Sequence, residues 1–370
     1  MKRVPNQFSL VNAAPRGVRN AALEAMETQK KPKHRFWRGK VLPKLLLTFV
    51  PLPKNTFCSI DATSKCNLRC AHCYFFSYEQ EQSPELSVEE WLARIEKMQK
   101  GRGAFFSCTW VGGEPLLRRE LIEKGRRFFR SNRVVTNGTL PLPDWPDVEF
   151  HVSVDGTEKL HDAIRGEGCY AKIKKNISDP AASNLNVAIA CCLNRKNVGC
   201  VEELLTEWKR VPNVRHVLFD FFTPIKGEDK PCVIASPTGV IARSEATKQS
   251  RPTATPDSDL WLTFPERDQV LDRLEELKKT YGSFIGGPPL TFTLMREKNR
   301  HRAIGRACVF LNNGTAFDAW GNVKKPCVIG PRADCDKCGC IVPFSVKAWK
   351  HPSNLLREVW RDLRTVISDQ

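Results

Sequence analysis

The sequence predicts an α/β fold of the parallel, barrel-forming kind, in which six strand–helix units make an incomplete barrel and a small cysteine-rich extension follows it. Two observations carry this expectation. From residue 57 onward, short β-branched or aromatic runs alternate with amphipathic helical patterns, as repeated β-α units with parallel strands require. The motifs with chemical character fall just beyond the carboxyl ends of those runs, where the loops of parallel barrels converge to build sites.

The expected strands lie at 57–63, 104–111, 133–136, 148–155, 186–193 and 215–222. After the first, "SVEEWLARIEKMQK" is the clearest helix: Ser87 suits the N-cap with Glu90 three residues on, and Trp91, Leu92, Ile95 and Met98 mark one apolar face. "VGCVEELLTEWKRV" repeats the pattern before the sixth strand, and "PERDQVLDRLEELKKTYG" is a further helix beyond it. The expected divisions are a basic, partly disordered arm at 1–54, the barrel at 55–225, a Ser/Thr/Pro-rich disordered insertion at 226–260, a helical connection at 261–300, the cysteine-rich region at 301–345 and a C-terminal helix at 346–370. Within 232–257, Ser, Thr and Pro fill ten of twenty-six positions with no aromatic residue, too little apolar surface to repay ordering. Its string "VIARSEATKQS" resembles translated interspersed repeats inside bacterial genes, which implies a late insertion without a mechanistic role.

The formal charge is +17, but residues 1–54 hold twelve Lys and Arg against two Glu and so carry +10 of it. A leader such as "KKPKHRFWRGK" suits contact with RNA or an anionic membrane surface; a solvated arm is the favoured reading. No run of 18 apolar residues occurs, and the N-terminus lacks the pattern of a secretory signal, so a cytoplasmic location is expected.

A cytoplasmic chain with fifteen cysteines favours metal or cluster ligation over disulfides. Cys66, Cys70 and Cys73 form one group; Cys308, Cys327, Cys335, Cys338 and Cys340 form a second. The other seven, including Cys58, Cys108 and Cys232, sit in apolar or strand-like stretches and read as small buried hydrophobes. The first group, in "SKCNLRCAHCYFF", offers three thiolates where a closed metal site wants four. Three thiolates suit three irons of a 4Fe-4S cubane with the fourth iron open; a zinc site borrowing a distant ligand is the other reading.

The order C-x3-C-x2-C followed by an aromatic, here Cys66, Cys70, Cys73 and Tyr74, resembles the radical S-adenosylmethionine (SAM) superfamily. The resemblance implies a partial (β/α)6 radical SAM barrel, a 4Fe-4S cluster whose unique iron is chelated by SAM, and reductive cleavage of SAM to a 5′-deoxyadenosyl radical. It also implies roles for the motifs at the strand ends. Gly112, Gly113 and Glu114 of "VGGEP" would meet the SAM amino group. Ser153 of "HVSVDG" and Arg165 of "HDAIRG" would meet its carboxylate, for which an arginine fork is suited. Thr136 and Asn137 of "TNG" would lie beside the nucleoside, and Asn194 would approach the ribose. A flavodoxin or ferredoxin would serve as reductant.

The second cysteine group looks like the SPASM or Twitch extensions of radical SAM enzymes, which hold auxiliary iron–sulfur clusters. A "WGN" turn inside apolar alternation predicts a small hairpin carrying Cys308 and Cys327, with Cys335 and Cys338 closing the site. Five cysteines rather than the seven of the full SPASM pattern point to one additional 4Fe-4S cluster on Cys308, Cys327, Cys335 and Cys338, with Cys340 able to replace any of them; a four-cysteine zinc knuckle stays open. Lys324, Lys325 and Arg332 are expected beside the thiolates. The SPASM-type resemblance favours a peptide or protein side chain as substrate. Adenosyl transfer to an isoprenoid lipid, RNA modification, and a non-enzymatic zinc or iron–sulfur nucleic-acid module are the alternatives.

Overall fold

The computed structural model describes residues 54–76, 83–100, 104–179, 182, 184–226 and 259–351. All but the last three belong to the unit Leu52–Ala348, one of the two into which the chain divides. The arm at 1–53, most of the 226–260 insertion with Cys232, and residues 352–370 of the expected C-terminal helix lie outside the described residues.

Six strands, β1 (Phe57–Thr63), β2 (Ser107–Gly112), β3 (Ser131–Thr136), β4 (Val148–Ser153), β5 (Asn186–Leu193) and β6 (Val214–Phe221), pair in sequence order and all in parallel. Helices α1 (Val88–Gln99), α2 (Arg119–Gly125), α3 (Glu158–Arg165), α4 (Cys169–Ser178) and α5 (Val201–Trp208) fill the crossovers. The start of α1 follows from its residues: the Ser87 hydroxyl accepts from Glu90 N, and the Glu90 carboxylate accepts from Ser87 N. Trp91 and Ile95 are the fully buried members of its apolar face.

Strand side chains alternate between two environments. Cys58, Ile60, Trp110, Val134, Phe150 and Val217 belong to the hydrophobic core under the helices. Their neighbours in sequence face the lumen, where Thr109, Arg133, Glu149, His151 and Cys192 are half-buried. On β1 the lumen-facing Ser59, Asp61 and Thr63 are buried, because another element covers that side.

That element is the hairpin of β7 (Gly314–Phe317) and β8 (Val323–Lys324). β7 runs parallel along the free edge of β1, and β8 pairs antiparallel with β7. The chain reaches it from β6 through α6 (Phe264–Tyr281), α7 (Pro289–Met295) and the short α8 (Val309–Asn312). The segment after β8 then docks on the opposite edge. Phe221 N donates to Gly339 O (2.9 Å), Gly339 N to Thr223 Oγ1 (2.8 Å) and Ile341 N to the Asp220 carboxylate (2.6 Å), at the start of α9 (Ile341–Trp349). A Cβ on residue 339 would sit 2.1 Å from Phe221 O, so glycine alone permits this approach. The cysteine-rich segment thus crosses from the β1 side of the open barrel to the β6 side. Among the described residues no helix is long and apolar enough to cross a membrane.

Candidate active site at the carboxyl mouth of the barrel

The loop that leaves β1 carries Cys66, Cys70 and Cys73, with Cys70 buried and the other two half-buried. Backbone bonds fold it: Cys73 N donates to Cys70 O (3.1 Å), and Ala71 N to Ile164 O (2.8 Å) on α3. Burial, with the other two sulfurs of the group close by, pushes the Cys70 thiol up to about 12 and raises Cys66 as well. Donors stand ready for ionised sulfur. Leu68 N lies 3.4 Å and Asn137 Nδ2 3.8 Å from Cys66 Sγ, and Arg165 Nη1 lies 3.9 Å from Cys70 Sγ. Among the described residues no three His, Cys, Asp or Glu side chains converge as ligands of one metal ion. A zinc ion would draw its sulfurs to within about 3.8 Å of one another, whereas a cubane takes each thiolate on a separate iron. Three cysteines on one loop, two of them with sulfur-directed donors, suit an iron–sulfur cluster.

The expected motifs gather around this loop. Gly113 N donates to Thr63 O (2.9 Å) and Glu114 N to Lys65 O (2.8 Å), which lays "VGGEP" against the start of the cysteine loop. A Cβ on residue 113 would fall 2.1 Å from Lys65 O and 3.1 Å from Cys66 Cβ. Gly113→Ala should therefore push the loop outward, lowering stability by about 1–3 kcal/mol and reducing the iron retained after anaerobic reconstitution, which iron analysis and thermal melting will measure.

The Glu114 side chain is engaged within the chain. Fully buried, it accepts from Leu116 N (3.0 Å), Thr136 Oγ1 (2.8 Å) and Asn137 N (2.8 Å), and so ties the end of β2 to the end of β3. Thr136 is buried with it, while the Asn137 side chain bridges to Asn67 (2.9 Å) and Cys66. Asn194 is also turned inward, its amide donating to Cys192 O (3.0 Å) and its oxygen accepting from Lys196 N (3.0 Å). Ser153 ends β4 half-buried, and Tyr74 packs edge-on to Phe75.

A buried hub joins these parts, and its central residue, Asp155, was not among the expected site residues. One carboxylate oxygen accepts from Arg165 Nε (2.6 Å) and lies 2.9 Å from His72 Nε2; the other accepts from Cys192 N (2.9 Å). Asp155 N in turn donates to His161 Nδ1 (3.2 Å). Burial alone would raise the Asp155 carboxyl, but the Arg165 guanidinium and His72 overcome it and hold the group well below the usual carboxylate range. His72 lies between two of the site cysteines, and Arg165 reaches the sulfur of one, so the hub locks the loop from two sides. An aspartate two residues beyond the end of a strand, in the turn "VDG", is the sequence signal that finds such a residue.

Below the loop, Lys324 of β8 donates to Asp61 Oδ2 (2.6 Å) inside the lumen, while Asp61 Oδ1 has no hydrogen-bond partner among the described residues. The placement of Lys324 beside the C-terminal thiolates is thereby corrected: its ammonium turns to the buried carboxylate on β1. Burial raises the Asp61 carboxyl to about 6 despite Lys324. An unfolded aspartate titrates near ~3.9, so between about pH 4 and 6 the native state holds more protons and stability falls as pH rises. Asp61→Asn should flatten that fall, as denaturant midpoints at pH 4 and pH 6 will show.

At the far end, Cys308 caps α8 ahead of the β7–β8 hairpin and Cys327 follows it, so the two flank the hairpin rather than sit on its strands. Burial raises Cys338 to about 12 with Cys327 and Cys308 adding to it, and Cys335 acts in the same sense on both Cys308 and Cys327. Those four feel one another. Cys340 is likewise pushed well up, by burial and then by the Asp220 carboxylate, with Cys338 and Cys327 adding to it. Arg332 donates to Lys226 O on the outer side of this segment (3.1 Å).

An incomplete parallel β/α barrel with a three-cysteine loop at its carboxyl mouth defines the class. Residues 60–206 match the radical SAM superfamily model. It is 27% identical over 165 residues to the sporulation killing factor maturation protein SkfB of Bacillus subtilis, covering 40% of this chain and 38% of that one. It is 29% identical over 195 residues to the Fe-coproporphyrin III synthase of Methanosarcina barkeri, covering 48% and 47%. The chain thus spans less than half the length of these curated relatives. Its fold is similar to that of Streptococcus suis SuiB bound to S-adenosylmethionine, with a TM-score of 0.53 at 13% identity over 86% of this chain and 70% of that one; SuiB is also solved with its precursor peptide SuiA.

Proposed function

We propose that this chain is a radical SAM enzyme that modifies a peptide or protein side chain. The observation that carries the reading is the cysteine loop with hydrogen-bond donors aimed at two of its sulfurs. Cys66, Cys70 and Cys73 would hold a 4Fe-4S cluster, which with SAM supplies reductive cleavage to a 5′-deoxyadenosyl radical. The chain's own work is to bind and orient. Arg165 spends Nε on Asp155 and Nη1 on Cys70, and its Nη2, free of a partner among the described residues, is left for the SAM carboxylate beside Ser153. Because the Glu114 carboxylate is committed to three internal donors, the glycine backbone before it is the better candidate for the SAM amino group. Cys308, Cys327, Cys335 and Cys338 would hold a second 4Fe-4S cluster at the open side of the barrel, and a flavodoxin or ferredoxin would supply electrons.

The peptide reading draws on the likeness to SkfB, a maturation protein, and to SuiB, solved with a precursor peptide. A second reading, a polycarboxylate macrocycle, draws on the likeness to Fe-coproporphyrin III synthase and on the +17 charge, which attracts anionic substrates. Anaerobically reconstituted protein with SAM and dithionite should release 5′-deoxyadenosine. Stimulation by a synthetic precursor peptide encoded beside the gene supports the first reading; stimulation by coproporphyrin alone supports the second. Intact SAM under strong reductant defeats both.

A further inference from the structure

We infer that Arg267 and Arg300 are positioning residues that supply the countercharge for an anionic iron–sulfur group on the C-terminal cysteines, an assignment that rests on the second-cluster reading above. Both side chains are buried, at 3% and 6% exposure. Arg267, in the first turn of α6, donates to Leu262 O (3.1 Å), Phe222 O (2.8 Å), Lys337 O (3.1 Å) and Cys338 O (3.3 Å). Arg300, beyond α7, donates to Cys338 O (2.8 Å) and to Asp336 O. The Phe264 ring lies against both, 5.5 Å from the Arg267 guanidinium and 4.2 Å from that of Arg300. Two cations from different elements thus converge on the carbonyl of one cysteine.

Neither arginine has a carboxylate within ion-pair reach among the described residues, and Asp334, Asp336 and Glu297 act on Arg300 only from a distance. Carbonyl dipoles satisfy the N–H donors but do not cancel net charge, and a guanidinium cannot escape by losing its proton. With the cysteines as neutral thiols, no carboxylate among the described residues pairs directly with either of these two like charges. Metal binding ionises thiols, and a four-thiolate cluster brings the missing negative charge to the carbonyls these arginines already hold.

A cation beside a cluster stabilises its more negative, reduced form and raises its potential. The test uses the full chain carrying Cys66→Ala, Cys70→Ala and Cys73→Ala, so that only the C-terminal group is read. Zinc, or no metal, after anaerobic reconstitution with iron and sulfide defeats the second-cluster reading and this inference with it. Retained iron and sulfide uphold that reading and leave the role of the arginines to be read separately. In that background Arg300→Gln, which keeps a donor and drops the charge, should move the midpoint potential to more negative values in an EPR-monitored titration, and Arg300→Lys should restore it. Arg267→Met should act in the same direction; if it fails to fold, the Arg300 pair decides. Equal potentials in the Gln and Lys variants, or loss of iron from both, would mark a purely structural role and overturn the inference.

Discussion

Cys70→Ala should abolish 5′-deoxyadenosine release from SAM in the presence of dithionite. Of the three site sulfurs, Cys70 is the most deeply buried and the one the Arg165 fork touches, at 3.9 Å. Neither Cys169 nor Cys200, which flank the hub's helices, stands in to replace it: each is a buried thiol raised by desolvation and committed to local contacts. Two thiolates leave a cubane with two open irons, and the methyl group of alanine cannot ligate either. The expected result is loss of product to the level of the no-enzyme control, with less iron per chain and the fold retained by circular dichroism. Product formation at the parent rate would overturn the proposed site. Cys340→Ala, in contrast, should leave both product and iron close to parent values, because Cys308, Cys327, Cys335 and Cys338 remain for the second cluster.

Asp155→Ala should be the most destabilising single substitution at the barrel mouth, by about 3–5 kcal/mol. It strands the Arg165 guanidinium without its carboxylate and leaves the Cys192 N–H and His72 Nε2 unpaired in a site with no exposure. Denaturant unfolding will read the loss as a lowered midpoint. The same residue sets a pH dependence opposite in sign to that of Asp61. Its folded carboxyl titrates well below the ~3.9 of an unfolded aspartate, so its contribution is complete above about pH 4 and fades as acid approaches the folded value. Asp155→Asn should remove that acid-side loss, and a variant whose acid unfolding matches the parent's would refute the hub.

What the sequence revealed most faithfully was local. Strand 57–63 runs over the residues expected, and the other five begin and end within three residues of expectation, because period-two patterning is written into each run. The capping box at Ser87 and Glu90 is likewise a matter of four consecutive residues. The site was legible to the same depth. The cysteine spacing, "VGGEP" and "TNG" all gather around one loop, since every motif sits at a strand end and parallel pairing brings strand ends together. The intended work of single side chains was less legible: Glu114 and Asn194 read as ligand contacts, yet both spend their polar atoms on the chain itself.

By itself, then, the sequence determined the six-strand order, the two cysteine groups and the likeness to the radical SAM superfamily, all carried by residues close together along the chain. Tertiary structure alone decided that Asp155 gathers His72 and Arg165, that Lys324 leaves the thiolates for Asp61, and that two arginines from outside the cysteine segment converge on Cys338. The reason is physical: pairing a buried charge depends on which groups are left beside one another once the core has closed, and groups tens or hundreds of residues apart leave no periodic trace of that meeting.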